Sequence, residues 1–339
     1  MSKETVVSIG LSAAIVAVES EQPVVLVVAH DDSDDALPFG PFDPAHHRTL
    51  ESGLRKWVGE QTRFDLGYTE QLYTFGDKGR HTPAGGDKGR HTPAGGDKSR
   101  HTPAAGEKDR QSGGARVVSV GYLALTRRVK EAPETQWRGW YNYFPWEDWR
   151  DARPAMIDSV ILPALKKFVK DAPNAESAEL RRERLNVCFG EGWDEERVLE
   201  RYELLYEAGL VEEFHRDAGQ VSRGPALGTP MLFDHRRILA TAIARLRGKL
   251  KYRPVVFELM SPTFTLLELQ RAVEALAGLR LHKQNFRRLV AEQGLVEGTG
   301  KFSAPARGRP AELFRFRREV LRERPAPGLR LGSRRTRAS

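Results

Sequence analysis

The chain has 339 residues, with 54 Lys/Arg against 46 Asp/Glu for a net charge of +8, and 40% of its residues are apolar. That length fits two domains with ordinary cores, and no stretch reaches the ~18 consecutive apolar residues of a membrane span. One cysteine, Cys188, excludes an intramolecular disulfide and a cysteine-based zinc cage, and points to a cytoplasmic protein. The charge is unevenly spread. From Ser261 to Ser339 there are 17 Lys/Arg and 7 Asp/Glu, a net of +10, which leaves −2 for residues 1–260. A basic module on a near-neutral body is the footprint of a protein that grips a polyanion through one domain.

In chain order, Ser8–Val18 and Val24–Val28 are β-rich, and the polar turn Glu19-Ser-Glu-Gln22 between them predicts a hairpin. A loop rich in Asp, Pro and Gly follows, from Asp31 to Pro44. Leu50, Leu54, Trp57 and Val58 then fall on one helical face. Tyr68–Phe75 and Val117–Thr126 read as strands. Between them GDKGRHTPAG starts at Gly76 and again at Gly86, GDKSRHTPAA starts at Gly96, and a decayed copy begins at Gly106. This unit has almost no large apolar side chain and predicts a disordered surface loop over 76–115. Its Asp/His pairs (Asp77 and His81, Asp87 and His91, Asp97 and His101) offer weak metal ligation, but duplication of a short DNA segment explains them better.

The two-strand start, the Gly/Pro loop and the helix L-E-S-G-L-R-K-W-V-G-E-Q-T resemble a Nudix domain. The Nudix signature, G-x5-E-x7-R-E-U-x-E-E-x-G-U, needs several carboxylates on one helix face, because a hard divalent cation takes oxygen ligands and must offset a diphosphate. The best ungapped alignment sets Lys56 at the signature's Arg, Trp57 at the Glu that follows, Glu60 and Gln61 at the paired Glu, and Arg63 at the Gly. Phe42 and Arg48 stand at the first Gly and Glu, and Glu51 is out of register. Only Glu60 keeps a carboxylate where the metal needs one. The resemblance therefore implies a Nudix-like pocket without hydrolysis, and no metal, with Arg55, Glu60 and Tyr122 as candidate ligand-binding residues.

Trp137–Trp149 (WRGWYNYFPWEDW) is densely aromatic and reads as packing or an oligomer contact ahead of a base-stacking platform. Ile157–Lys170 and Ala175–Leu185 have helical patterns. Asp194 is expected to cap a helix running to Ala208 with Gly209 as its stop, and Asp234 to cap Ile238–Leu250, whose exposed positions carry Arg245, Arg247 and Lys249. Thr265-Leu-Leu-Glu268 is a capping box, stapled by Phe264 and Leu269, and it opens a helix ending at Gly278. In the next helix, His282–Gln293, Phe286, Leu289 and Val290 face a core. Gln284, Arg287 and Arg288 lie on the other side, flanked by Lys283 and Asn285, donors suited to a major groove. The competing reading is a solvated basic face. A strand from Leu295, a turn at Gly298-Thr-Gly300, a basic tip Arg307-Gly-Arg309-Pro310 and a returning strand Leu313–Arg317 complete a winged helix-turn-helix. The Pro/Gly-containing basic tail 322–339 predicts disorder.

DHRRILATAIARLRGKLKYRPVVFELM, FTLLELQRAVEALAG, HKQNFRRLVAEQGLVEGTG and GRPAELFRF resemble the C-terminal part of Nudix-related transcriptional regulators of NAD metabolism. YTEQLYTFGD and RVVSVGYLAL are similar to the bacterial NAD regulator branch. The resemblance implies a Nudix-like mixed-sheet α/β/α sandwich over 1–165, a helical connector and dimer surface over 166–250, and a winged helix-turn-helix over 251–321. It further implies a repressor of NAD synthesis or salvage genes that binds operator DNA as a homodimer. Such a protein needs no cofactor, spans no membrane, and senses ADP-ribose, NAD or a related nucleotide. Two alternatives stand beside it: an active Nudix pyrophosphohydrolase with a basic accessory domain, and a regulator whose dead pocket serves a protein partner.

Overall fold

The computed structural model describes residues 7–29, 34–63, 65–76, 116–128, 132–221, 224, 227–303, 310–323, 326 and 328–329. The repeat from Asp77 onward, Arg307 and Arg309 lie outside them. Strand β1 (Val7–Glu19) turns directly into β2 (Gln22–Ala29). Pairing of Glu19 with Gln22 leaves a two-residue loop, and both its residues, Ser20 and Glu21, take positive φ (46° and 66°). A tight hairpin demands that geometry because it follows the right-handed strand twist. Short β3 (Asp35–Ala36) pairs with β2, and β4 (Phe39–Pro41) pairs with β1. Helix α1 (Leu50–Thr62) comes next, then β5 (Tyr68–Phe75) and β6 (Arg116–Leu125), antiparallel neighbours. β6 lies parallel to β1, while β7 (Thr135–Gly139) pairs with β2. The main path is β3-β2-β1-β6-β5, a mixed sheet.

Strand alternation sorts the side chains onto two faces. Leu11, Ala13, Ile15, Val120, Tyr122 and Ala124 pack with Leu54 and Val58 of α1. Ala14, Val16, Val25, Val27, Leu123 and Leu125 face the other layer. That layer is built from α2 (Trp140–Tyr143), α3 (Leu162–Lys170), α4 (Ala175–Phe189), α5 (Val198–Glu207), α6 (Glu212–Asp217) and α7 (His235–Tyr252). The expected helix from Ile157 begins as a π-helical turn, Ile157–Ile161, before α3. α7 is the layer's keel, with Ile238, Leu239, Ala240, Ala242 and Ile243 almost fully buried. The aromatic segment belongs to the same core: Trp140, Tyr143, Phe144 and Trp146 are fully buried, with Trp140 edge to face against Tyr141 and Phe144 edge to face against Trp146. These rings are core packing.

Helices α8 (Leu266–Ala277) and α9 (Lys283–Gln293), the ribbon β8 (Val296–Phe302) with β9 (Glu312–Phe316), and α10 (Val320–Glu323) form the C-terminal module. Leu269, Val273, Leu276, Phe286 and Val290 join the hydrophobic cluster that holds α7. The chain is therefore an α/β/α sandwich continuous with a winged helix.

Several local expectations need correction. α5 starts at Val198 and not under Asp194, because the Asp194 carboxylate instead accepts from the Glu196 N–H and its carbonyl from Arg201. Asp234 does occupy the N-cap of α7, without a side-chain capping bond, and the helix begins at His235. Gly298–Gly300 lies inside β8, where Gly300 (φ 68°) belongs to a register shift that absorbs the expected turn. Arg247, expected on the solvent face of α7, is 1% exposed. The tail is ordered further than its composition predicts: Arg322 and Glu323 end α10, and Leu329 is fully buried, its N–H donating to the Leu250 carbonyl.

Candidate nucleic-acid interface and ligand face

The winged helix is built by capping and core before any charge is placed. Thr265 Oγ1 accepts from the Glu268 N–H at 3.2 Å while Glu268 Oε2 accepts from the Thr265 N–H at 2.7 Å, so α8 begins in the predicted capping box. Phe264 exchanges both backbone hydrogen bonds with Phe314, adding a third segment to the wing ribbon. Phe257 stacks on Phe316 at 4.3 Å, which fixes the wing to the helices.

The bend between α8 and α9 is held by one acid. Glu274, 2% exposed, accepts from the Leu281 N–H, the Gln270 amide and the Arg280 guanidinium at 2.9–3.0 Å. Burial alone raises a carboxyl pKa, but these three donors outweigh it and hold Glu274 below the ordinary carboxylate range. Sequence patterning marks position 274 only as a helical Glu and does not reveal this clamp.

With Phe286 and Val290 buried, Lys283, Gln284, Asn285, Arg287 and Arg288 of α9 are all exposed to solvent. Arg288 approaches Glu292 at 3.8 Å across an open surface, an ion pair too exposed and loose to commit it. The structure thus brings together all five expected donors of the helix. The two wing-tip arginines fall outside the described residues. On the ribbon, Arg315 is tied to Glu297 at 2.6 Å, and Arg317 donates to the Gly294 carbonyl at 3.1 Å. These two arginines shape the wing's root.

The second candidate face lies on α1. A capping box between Thr49 and Ser52 starts the helix, a signal the sequence carried in Ser form where Glu or Gln is usual. Arg55 and Tyr122 are brought under the same half of α1, while Glu60 is not. Arg55 donates to Glu51 and Thr69 at 3.0 Å, and also to the Leu66 and Gly67 carbonyls. It braces the loop after the helix. Hydrogen bonds from Arg55 and Thr69 pull the Glu51 carboxyl below its usual pKa. Tyr122, 3% exposed, donates to Gln71 Oε1 at 3.3 Å; burial, then the Glu51 charge, raises its pKa. Glu60 is exposed at the other end, where Glu60, Gln61 and Arg63 line a 290 Å³ cleft against Ala132, Pro133 and Glu134.

The residues standing at signature carboxylate positions have other work. Trp57 Nε1 donates to the Pro41 carbonyl at 2.7 Å. Gln61 both donates to and accepts from the Phe39 backbone, at 2.8 and 3.1 Å. The Trp57 ring lies so close to Gly40 that a Cβ there would sit 2.2 Å from ring carbon Cδ2. Together they tie α1 to β4. Among the described residues, no group of three or more His, Cys, Asp or Glu is placed to hold a metal ion.

Comparison with known proteins places the module. Residues 256–316 match the model of the NrtR DNA-binding winged helix domain, and the chain carries a domain of that type. The ADPR responsive transcriptional repressor NtrR of Acinetobacter baylyi is 45% identical over 91 residues, which is 27% of this chain and 36% of that protein. The chain thus matches about a third of the length of that curated relative. Crystal structures of Shewanella oneidensis NrtR share the whole architecture. The one complexed with a 27mer DNA aligns over 92% of this chain and 94% of its own, with a TM-score of 0.50 and 20% identity. The other aligns over 92% of this chain and 95% of its own, with a TM-score of 0.50 and 19% identity. The common fold is a mixed-sheet sandwich followed by a winged helix.

Proposed function

We propose that this chain is a nucleotide-responsive DNA-binding regulator, a repressor of NAD synthesis or salvage genes acting in the cytoplasm as a homodimer. One observation carries the reading. The segment matching the NrtR winged helix model contains α9, whose five polar and basic side chains are exposed while Phe286 and Val290 are buried. A helix so placed enters the major groove, where Arg reads guanine, Gln or Asn reads adenine, and Lys holds phosphate. The wing-tip Arg307 and Arg309 add phosphate or minor-groove contacts.

The effector is ADP-ribose, NAD or a close relative, which agrees with the ADPR response named in the A. baylyi repressor. It binds on the α1 face. Arg55, Tyr122 and, at the far end of the helix, Glu60 are the candidate contacts. No cofactor is required, and no hydrolysis accompanies binding, since Trp57 and Gln61 occupy positions that a metal-dependent pyrophosphohydrolase gives to carboxylates. No described helix is long and apolar enough to cross a membrane.

Fluorescence anisotropy on labelled DNA from upstream of NAD-synthesis genes, with and without ADP-ribose, tests the whole reading. Binding tighter to one such DNA than to a scrambled duplex, and a changed affinity on adding ADP-ribose, is the expected result. Equal binding to both duplexes defeats the operator assignment. Unchanged affinity at saturating ADP-ribose and NAD defeats the sensing one.

A further inference from the structure

A buried cluster joins the sandwich to the winged helix. Glu147, 1% exposed, is shared by two fully or almost fully buried guanidinium groups. Arg201 donates to its two oxygens at 2.6 and 2.9 Å, and Arg247 donates to Oε2 at 2.7 Å. Two cations against one carboxylate leave an excess positive charge away from water, which is costly unless further negative potential faces it. The two arginines meet that demand differently. Arg201 donates to the Asp194 carbonyl and lies over the Trp193 ring at 3.7 Å. Arg247 turns instead to the C-terminal end of α8, donating to the Leu276 carbonyl at 3.0 Å and also to the Glu195 and Glu147 carbonyls. The end of a helix carries unpaired carbonyls and the negative pole of its dipole, so a cation there is favoured.

The neighbours finish the same job. Tyr141 donates its hydroxyl to the Ala275 carbonyl at 2.7 Å, and the Trp149 backbone N–H donates to the Gly278 carbonyl at 2.8 Å. Gly278, at φ 72°, makes the approach possible: a Cβ there would lie 2.5 Å from the Glu147 carbonyl and 2.8 Å from the Arg247 guanidinium. The last turn of α8 is therefore capped almost wholly by the sandwich, immediately before the bend that Glu274 holds for α9.

We propose that Arg247 is a positioning residue that locks the helix pair α8–α9 onto the sandwich, so that the DNA-reading face keeps one orientation relative to the ligand domain. This deepens, and for its consequence on DNA rests on, the DNA-binding reading above. Arg201 makes no hydrogen bond to α8 and supplies the control. Replacing either arginine with Met leaves Glu147 facing one remaining arginine, so neither substitution strands an unpaired buried charge, and Met retains most of the apolar stem.

The test is hydrogen–deuterium exchange on the full-length chain with Arg247→Met and Arg201→Met. In Arg247→Met, amide protection over 266–277 and 283–293 is expected to fall at least tenfold, while α1 changes less than twofold. In Arg201→Met, the loss is expected over 193–207, with α8 and α9 within twofold of the parent. Equal loss over α8 in both variants, or a uniform loss across the chain in Arg247→Met, overturns the assignment, since either pattern is ordinary destabilisation. Should Arg247→Met fail to fold, Gly278→Ala blocks the same approach from the α8 side and is expected to give the same selective loss; retained protection over 266–293 in that variant overturns the proposal. Operator affinity is measured in parallel, with at least a tenfold loss expected for Arg247→Met. The exchange result stands even if the parent binds no operator, which separates failure of this proposal from failure of the functional one.

Discussion

Trp57 and Gln61 show how a side chain's partners reveal its task. Each stands where the Nudix resemblance places a metal-binding glutamate, yet each is bonded to the backbone of β4. Glu60, the one carboxylate in register, is solvent-exposed at the cleft by Ala132. With Mg²⁺ or Mn²⁺ the purified protein is therefore expected to leave ADP-ribose and NADH intact, measured by phosphate release after phosphatase coupling. Robust turnover abolished by Glu60→Gln would show that the helix is out of register with the signature. Arg287 and Arg288 allow a sharper test of the reading face. Alanine at a base-reading arginine is expected to cost about 1–3 kcal/mol on the specific site and to relax preference at one base pair. Alanine at a phosphate contact weakens all sequences alike and lowers the salt slope by about one. If neither substitution changes affinity or salt dependence in a folded protein, α9 carries only a solvated face.

At the scale of elements, two contacts set geometry that periodicity alone leaves open. α1 meets β4 through the Trp57 ring against Gly40, where an added Cβ would fall 2.2 Å from the ring. Gly40→Ala forces the helix or the strand to move, at an expected cost of about 1–3 kcal/mol. Denaturant melts with an unchanged m-value check this, and parent-like stability would show that the ring yields without loss. For α8 the predicted capping box is present at both bonds. Here the sequence was legible because a capping box is local: its donor and acceptor are three residues apart. The same is true of the buried positions Leu269, Val273 and Leu276, which one helical face aligns. By contrast, Gly298–Gly300 resembles a turn in composition but lies in a strand, because pairing with β9 continues beyond it. A ribbon partner outweighs local turn preference when the register shift can be placed at a glycine.

Across the whole molecule, the decapeptide repeat interrupts two strands that are direct neighbours, with Phe75 opposite Ser119. Deleting Gly86–Ala105 leaves both flanking strands untouched, and closure entropy changes slowly with loop length. Stability is expected to move by less than about 1 kcal/mol. A large drop in melting temperature, or lost DNA binding, would give the repeat a structural or functional role. The sequence by itself determined four strands of the sheet (β1, β2, β5 and β6), the longer amphipathic helices, the winged-helix order and the exposed polar positions of α9, because each is written in spacings within a few residues; the short β3, β4 and β7 form only by pairing with β1 and β2. Tertiary structure alone decided the fate of residues whose partners lie far off. Arg247 sits at a position that helical spacing assigned to solvent, but Glu147 is 100 positions away and the α8 carbonyl it caps is 29 away. The aromatic segment likewise became core only when α5 and α7 closed over it. Periodicity reports which side of an element faces a neighbour. Whether a charge on the other side meets water or a buried counter-charge depends on how several elements converge, and no local pattern encodes that.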